Sequence, residues 1–115
     1  MLAYAIVLLA ITAVGGLVLA SYVLRGKLAP WMLSLLHAGL GAGGLILSLL
    51  TILNGESRVL LPFVILTVAA LLGFYLASHH LKQKLPSNAV VIIHAGVAVL
   101  GFLALVSMVF IHNLV

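Results

Sequence analysis

The segment from residue 30 to residue 53 reads PWMLSLLHAGLGAGGLILSLLTIL and contains no Asp, Glu, Lys or Arg. A helix of about 20 apolar residues is long enough to cross the roughly 30 Å hydrocarbon core of a bilayer. The segment has this length, and only small residues, three hydroxyl side chains and one imidazole interrupt its apolar character. It therefore predicts a transmembrane helix that carries a titratable ring, that of His37.

Three further apolar segments surround this one. Of the 115 residues, 66% are hydrophobic and only 5% are charged, a composition far more apolar than that of a soluble domain. Within lipid the backbone is satisfied only in helices or closed barrels, and the segments lack the alternation of barrel strands. We predict an all-α integral membrane protein, an up-down four-helix bundle forming a single transmembrane domain, 1–115. Its helices are expected at about 1–24, 30–53, 59–81 and 87–115.

Four of the five basic residues lie in two of the three loops. The loops after the first and third helices contain four cations, namely Arg25, Lys27, Lys82 and Lys84, whereas the middle loop contains Glu56 and Arg58. The positive-inside rule places the basic loops in the cytoplasm and both termini outside, in a bacterial-type inner membrane. Because cations beside helix ends serve topology and contact anionic lipid, the net charge of +4 does not predict a nucleic-acid partner.

The sequence also resembles itself at an offset of 57 residues. Shifting the chain by this distance aligns His37-Ala38-Gly39 with His94-Ala95-Gly96, and Gly16 with Gly73. The match continues through two helices and their basic loop. We therefore predict two tandem helical-hairpin repeats, residues 1–57 and 58–115, that are related by a pseudo-two-fold axis along the membrane normal.

This symmetry places two histidines at one depth. His37 and His94 each lie seven residues after the expected start of their helix, roughly 10 Å from the basic face. A polar ring inside a membrane is costly unless it faces the bundle interior and finds a partner. Two imidazoles facing each other across a pseudo-two-fold axis suit the axial ligation of one haem iron. Their other ring nitrogens need acceptors, for which the carbonyls near Leu33 and Val90, one turn earlier, are candidates.

Small residues accompany each histidine on its helix face. Glycine near a ligand would let a porphyrin approach the backbone without colliding with a side chain. The competing explanation is close helix packing, which small residues favour with no cofactor present. The candidate cofactor-contacting residues on these faces are Gly41, Gly44, Ala98 and Gly101.

This combination of paired histidines, nearby glycines and cations at one face resembles small four-helix transmembrane b-type cytochromes. It is also similar to duplicated small bacterial four-helix membrane proteins. The resemblance covers the general plan of the chain and implies a bound haem b, with His37 and His94 as the iron ligands. The chain lacks a second ligand pair, in contrast to the commonest cytochrome plan.

Three more histidines lie near the membrane surfaces. His79 and His80 end the third helix, and Tyr22 occupies the position 57 residues before His79. His79 and Tyr22 are candidates for holding haem propionates or a quinone headgroup, and the alternative is that such residues are interfacial anchors. His112, near the opposite surface, is expected to be an interfacial residue or a subunit contact.

The sequence contains few of the side chains that an enzyme would need for independent catalysis. Glu56 is the only acidic side chain, so no carboxylate pair is present for acid–base work, and Ser48 is expected to bond the carbonyl one turn back. Two functions follow. In the first, the chain is an electron-transfer protein with one bis-histidine haem near the cytoplasmic face, exchanging electrons with a quinol or a partner subunit. In the second, it is a non-catalytic accessory subunit or assembly factor without a cofactor, in a homo- or hetero-oligomer.

Overall fold

The computed structural model describes residues 1–112 and confirms an all-α chain of four long helices. Their bounds are α1 Leu2–Leu24, α2 Trp31–Leu53, α3 Leu60–Leu81 and α4 Asn88–His112, with one short 3₁₀ turn, Ser57–Val59, before α3. Each helix begins one residue after its expected start. The part of the predicted fourth helix beyond residue 112 lies outside the described residues.

Residues with capping or turn preferences lie at the helix ends. Pro30 precedes α2, and Ser87 precedes α4, where its hydroxyl accepts a hydrogen bond from the Val90 backbone N–H. A left-handed residue follows both α1 and α3, two positions after the last helical residue: Gly26 at φ 76° and Gln83 at φ 56°. At the C-terminal end of each of these two helices, backbone N–H groups of the basic loop donate hydrogen bonds to the last carbonyls.

Consecutive helices run antiparallel, and α1 also packs on α4, so the four helices close into a ring. Packing is most extensive between α1 and α2 and between α3 and α4. The bundle therefore consists of two tight hairpins that meet along two less extensive contacts. We refer to the contact of α1 with α4 and the contact of α2 with α3 as the two seams.

Buried side chains concentrate at the end of the bundle that carries the N-terminus and the middle loop. The main core cluster there comprises Leu2, Ala5, Leu9, Val59, Leu66 and Leu105. Ser48 is also fully buried at this end, and its hydroxyl donates to the Gly44 carbonyl at 2.8 Å, which confirms the bond expected one turn back. We call this region the closed end, and the opposite half, towards the basic loops, the histidine end.

The outer surface of the bundle is apolar. Large hydrophobic side chains such as Leu17, Ile46, Phe74 and Leu103 are exposed on all four helices. All four helices are long enough and apolar enough to cross a membrane. An apolar exterior of this extent is stable when lipid, rather than water, surrounds it.

Candidate functional site

Two histidine rings meet inside the histidine end of the bundle. His37 on α2 and His94 on α4 have ring centroids 6.2 Å apart, and their ring planes are inclined at 81°. In the described part of the chain, α2 and α4 do not pack directly on each other. The two rings therefore meet across the diagonal of the bundle, one from each hairpin. We call them the imidazole pair.

Each ring is held by the first helix of its own hairpin. The Nδ1–H of His37 donates to the backbone carbonyl of Thr12 at 2.9 Å, and the Nδ1–H of His94 donates to that of Ala69 at 2.8 Å. The expectation that carbonyls near Leu33 would accept these bonds is wrong, as is its counterpart for the second histidine, because each ring reaches across to the neighbouring helix instead of folding back along its own.

These bonds assign the proton on each neutral ring. A carbonyl oxygen only accepts, so Nδ1 must carry the hydrogen and Nε2 must carry the lone pair. Among the described side chains, neither Nε2 takes part in a hydrogen bond. Every fully buried side-chain nitrogen or oxygen in this part of the chain does have a hydrogen-bond partner. Both Nε2 atoms therefore keep some accessible surface. In the neutral rings the site thus presents two ring nitrogens with free lone pairs, one from His37 and one from His94.

Two glycines that sequence reasoning did not assign to the site make these bonds possible. A Cβ on Gly16 would lie 2.8 Å from Cε1 of His37, and one on Gly73 would lie 3.1 Å from Cε1 of His94. In a helix, the side chain at position i+4 lies over the same face as residue i. Gly16 follows Thr12 by four residues, and Gly73 follows Ala69 by four, so glycine uncovers each accepting carbonyl. Their alignment at an offset of 57 was the available signal.

The glycines predicted to flank a cofactor face side chains of the neighbouring helix. A Cβ on Gly44 would lie 2.5 Å from Cγ of Leu9, and one on Gly101 would lie 2.8 Å from Cγ of Leu66. Gly41 faces the methyl group of Thr12, where a Cβ would meet Cγ2 at 3.4 Å. In this packing, leucines of α1 and α3 occupy the space above the first two glycines. Those two therefore serve helix packing at the closed end.

Ala98 is half-buried one turn beyond His94. Tyr22 and His79 do not join the imidazole pair. Tyr22 lies beneath the guanidinium of Arg25, whose Cζ is 5.2 Å from the ring centroid. His79 packs against Tyr75, with centroids 4.8 Å apart, and its Nδ1 bonds the Tyr75 carbonyl at 3.1 Å. Both contacts lie on the basic loop side of the site.

His80 points into the seam between α2 and α3. Its Nδ1 lies 2.6 Å from Oγ of Ser34, and its ring stands edge-on to Trp31 with centroids 4.8 Å apart. The sequence predicted only that His80 lies near the membrane surface. Only the packing of α2 on α3 brings Ser34, Trp31 and His80 together. The side chain of His112, for which an interfacial role was predicted, lies outside the described part of the structure.

Each seam carries an open groove at the histidine end. The groove between α2 and α3 has a volume of about 440 Å³ and is lined by Leu28, Ala29, Trp31, His80, Leu81 and Gln83. The groove between α1 and α4 has a volume of about 420 Å³ and is lined by Leu17, Ala20, Leu24, Val91, Ile92, Ala95, Gly96 and Val99. The second groove is wholly apolar and runs past the helix turn that carries His94.

Comparison with protein-family models, with curated proteins and with solved structures finds no match to this chain. The geometry of the site is therefore the basis on which its function is argued.

Proposed function

We propose that this protein is a membrane electron-transfer protein that binds one b-type haem between His37 and His94. The observation that carries the proposal is the imidazole pair, in which each ring is oriented by a backbone carbonyl through Nδ1 and leaves Nε2 free. Histidine ligands of metals are typically fixed in this way, by a hydrogen bond from the nitrogen that does not bind the metal.

The separation of the rings suits two axial ligands of one metal. An imidazole nitrogen binds a metal at about 2 Å, and the ring centre lies about 1 Å behind that nitrogen, so two opposed ligands have centres about 6 Å apart. The centroids of His37 and His94 are 6.2 Å apart. A bound haem iron supplies reversible one-electron transfer at a potential set by its ligands and surroundings.

The surroundings of the imidazole pair also favour this function. The pair joins the two hairpins, and the seams between them carry grooves whose lining is mostly apolar, as a porphyrin edge requires. The histidine end contains few buried side chains, in contrast to the closed end. Cations of the basic loops, Arg25, Lys27, Lys82 and Lys84, lie at this end of the bundle and supply partners for carboxylates such as propionates.

We infer that the two hairpins are tandem copies related by a pseudo-two-fold axis along the membrane normal. Contacts at the site recur 57 residues apart: Thr12 with His37 and Ala69 with His94, and Leu9 with Gly44 and Leu66 with Gly101. The left-handed residues Gly26 and Gln83 have the same separation. The basic loops face the cytoplasm of a bacterial-type cell, since positive loops stay on that side.

The second candidate function is an accessory subunit or assembly factor without a cofactor. The tight fit of Leu9 on Gly44 and of Leu66 on Gly101 favours it, because these glycines already have a packing role. In that case the imidazole pair is a structural contact between hairpins, and the exposed apolar faces pack on other membrane helices.

Visible spectroscopy separates the two candidates. The protein is expressed in haem-competent cells, purified in a mild detergent and measured in its oxidised and reduced forms. We expect a Soret band and a sharp reduced α band with about one haem per chain, as one bis-histidine site requires. A folded, purified protein without these bands overturns the haem proposal and leaves the accessory subunit.

Variants of the ligands assign the site. His37→Ala and His94→Ala are each expected to remove the low-spin spectrum, because each supplies one axial nitrogen. His79→Ala is the matched control, since His79 lies on the same face of the membrane but packs against Tyr75. Loss of the spectrum in the control, or its retention in either ligand variant, contradicts the assignment.

A further inference from the structure

The groove between α2 and α3 differs from a simple packing gap because it carries an oriented polar group. His80 is held from two sides, by the hydrogen-bonding contact of Nδ1 with Ser34 at 2.6 Å and by the edge-on contact with Trp31. Its Nε2 takes part in no hydrogen bond with the described side chains and is not fully enclosed. One ring nitrogen is therefore fixed in position and free to bond a ligand in the groove.

The charge of the lining restricts that ligand. The basic loops hold four cations at this end of the bundle, yet Lys and Arg are absent from the residues that line the groove. Phosphate and carboxylate groups are normally bound by such cations. A lining of Trp31, His80, Gln83 and three aliphatic side chains instead favours a neutral, planar ring with an oxygen atom that bonds to imidazole or amide.

The position of the groove restricts the ligand further. It lies at the level where α2 begins and α3 ends, and three of its lining residues, Leu28, Ala29 and Gln83, belong to the basic loops. Tryptophan at this level is typical of the boundary between headgroups and hydrocarbon. A ligand at this level with a polar ring at the boundary can extend an apolar tail into the bilayer.

We propose that this groove binds the headgroup of a membrane quinone or quinol, with Nε2 of His80 bonded to a ring oxygen and Trp31 against the ring. The proposal deepens the electron-transfer function proposed above and rests on it for its purpose, while the binding itself needs no haem. Trp31 lies six residues from His37 on α2, about 9 Å along the helix axis. The quinone site and the imidazole pair are thus close neighbours.

Trp31 also provides the test, because it is the only tryptophan of the chain. Haem quenches tryptophan fluorescence, so the titration uses the His37→Ala/His94→Ala double variant, or wild-type protein from haem-deficient cells where that variant does not fold. The protein in detergent is titrated with ubiquinone-1, a short-chain benzoquinone. We expect saturable quenching of Trp31. Quenching that rises linearly without saturation overturns the proposal.

Single substitutions locate the bound ring. His80→Phe keeps the ring shape but removes the nitrogen, and we expect the apparent Kd for ubiquinone-1 to rise about tenfold. His79→Phe is the matched control and should leave the Kd unchanged, because this neighbour packs on Tyr75 outside the groove. Ser34→Ala is a second variant, which keeps the backbone and frees the His80 ring to turn; a severalfold rise in Kd is expected. Equal Kd values for the haem-free parent protein and for its His80 and Ser34 variants contradict the assignment.

Competition distinguishes a quinone from a lipid headgroup. Adding phosphatidylglycerol at a fixed detergent concentration should leave the quenching curve unchanged, whereas displacement of ubiquinone-1 would assign the groove to an anionic lipid and overturn the proposal. The two proposals fail separately. Saturable quenching without a haem spectrum removes the electron-transfer function alone, and a haem spectrum without saturable quenching removes the quinone site alone.

Discussion

The two ends of the bundle use glycine in opposite ways. At the closed end, Gly44 and Gly101 pack against leucines of the neighbouring helices, and the surrounding side chains are buried. At the histidine end, Gly16 and Gly73 lie against the two imidazoles, and two grooves are found at the same end of the bundle. In both places a missing Cβ allows a close approach. What differs is the group that approaches, a leucine side chain at one end and an imidazole ring at the other.

This difference suggests how stability and function are divided. At the closed end, Leu9 of the first hairpin and Leu66 of the second belong to one buried cluster, so dense packing joins the hairpins there. The histidine end can then remain less densely packed without loss of the fold. Sites that bind ligands are commonly found in the less tightly packed part of a structure. Variants of the glycines at each end test this division.

The largest expected loss of stability comes from the closed end. A Cβ on Gly44 would meet Cγ and Cδ2 of Leu9 at 2.5 and 2.6 Å, and these atoms cannot move freely within the core. We expect Gly44→Ala to lower the free energy of unfolding by about 1–3 kcal/mol, the usual cost of overpacking. Gly101→Ala should cost somewhat less, since its closest contact is 2.8 Å.

Unfolding by sodium dodecyl sulfate in mixed micelles measures these losses. Combining Gly44→Ala with Leu9→Ala removes the colliding atoms, so the double variant should lose less than the sum of the two single variants. Additive losses would show that Leu9 is not the source of the collision and would break the description of this end as closed.

The second prediction concerns the histidine end, where ligand geometry should suffer more than stability. In Gly16→Ala the new Cβ would meet Cε1 of His37 at 2.8 Å, and the ring must leave the Thr12 carbonyl. We expect the low-spin haem spectrum to weaken markedly while the free energy of unfolding falls by about 1 kcal/mol, similar to the loss of one hydrogen bond.

Two neighbours calibrate that experiment. Gly73→Ala should have a smaller effect on the spectrum, since its Cβ would lie 3.1 Å from His94. Gly15→Ala should have almost none, because its nearest contact to His37 is 4.0 Å. An equal loss in all three variants would mean that helix propensity, and not contact with the rings, decides the outcome.

A third, smaller effect is expected where the helices of the histidine end terminate. Gln83 adopts φ 56°, which costs about 1 kcal/mol for a residue with a Cβ, whereas Gly26 adopts φ 76° without that cost. Gln83→Gly should therefore raise the free energy of unfolding by roughly 0.5–1 kcal/mol. Gly26→Ala should lower it by a similar amount, although its Cβ would meet nothing within 4 Å. A loss of stability in Gln83→Gly would indicate that the glutamine side chain, which lines the groove, stabilises the loop.

The smallest effect on stability is expected for two glycines that contact no neighbouring helix. Gly39 and Gly96 face open space, with nothing within 4 Å of an added Cβ. We expect Gly39→Ala and Gly96→Ala to leave the free energy of unfolding of the monomer unchanged or to raise it by up to about 1 kcal/mol through helix propensity. The same denaturant titration measures this, and a loss of 1 kcal/mol or more would show that these positions are packed.

The sequence predicted the helices closely because hydropathy and loop chemistry are local. The expected segments 30–53 and 59–81 correspond to Trp31–Leu53 and Leu60–Leu81. The sequence also predicted that His37 and His94 lie at one depth and face the bundle interior, because a polar ring within an apolar span needs a partner. The structure has their ring centroids 6.2 Å apart.

The partners of these rings could not be predicted in the same way. The carbonyls of Thr12 and Ala69 carry no signal in their residue type, because every residue has a carbonyl. Gly16 and Gly73 matter only through what approaches them. The cluster of Ser34, Trp31 and His80 likewise depends on how α2 is rotated against α3.

Apolar length and the positions of charge therefore determined, from the sequence alone, that this chain forms four helices able to cross a membrane, with a histidine within the second and the fourth. Tertiary structure alone decided which face of each helix meets its neighbour. These orientations depend on contacts of a few ångströms between residues far apart in the chain. They determine which carbonyl bonds each imidazole, which glycines contact a neighbouring side chain and which seam carries a polar groove.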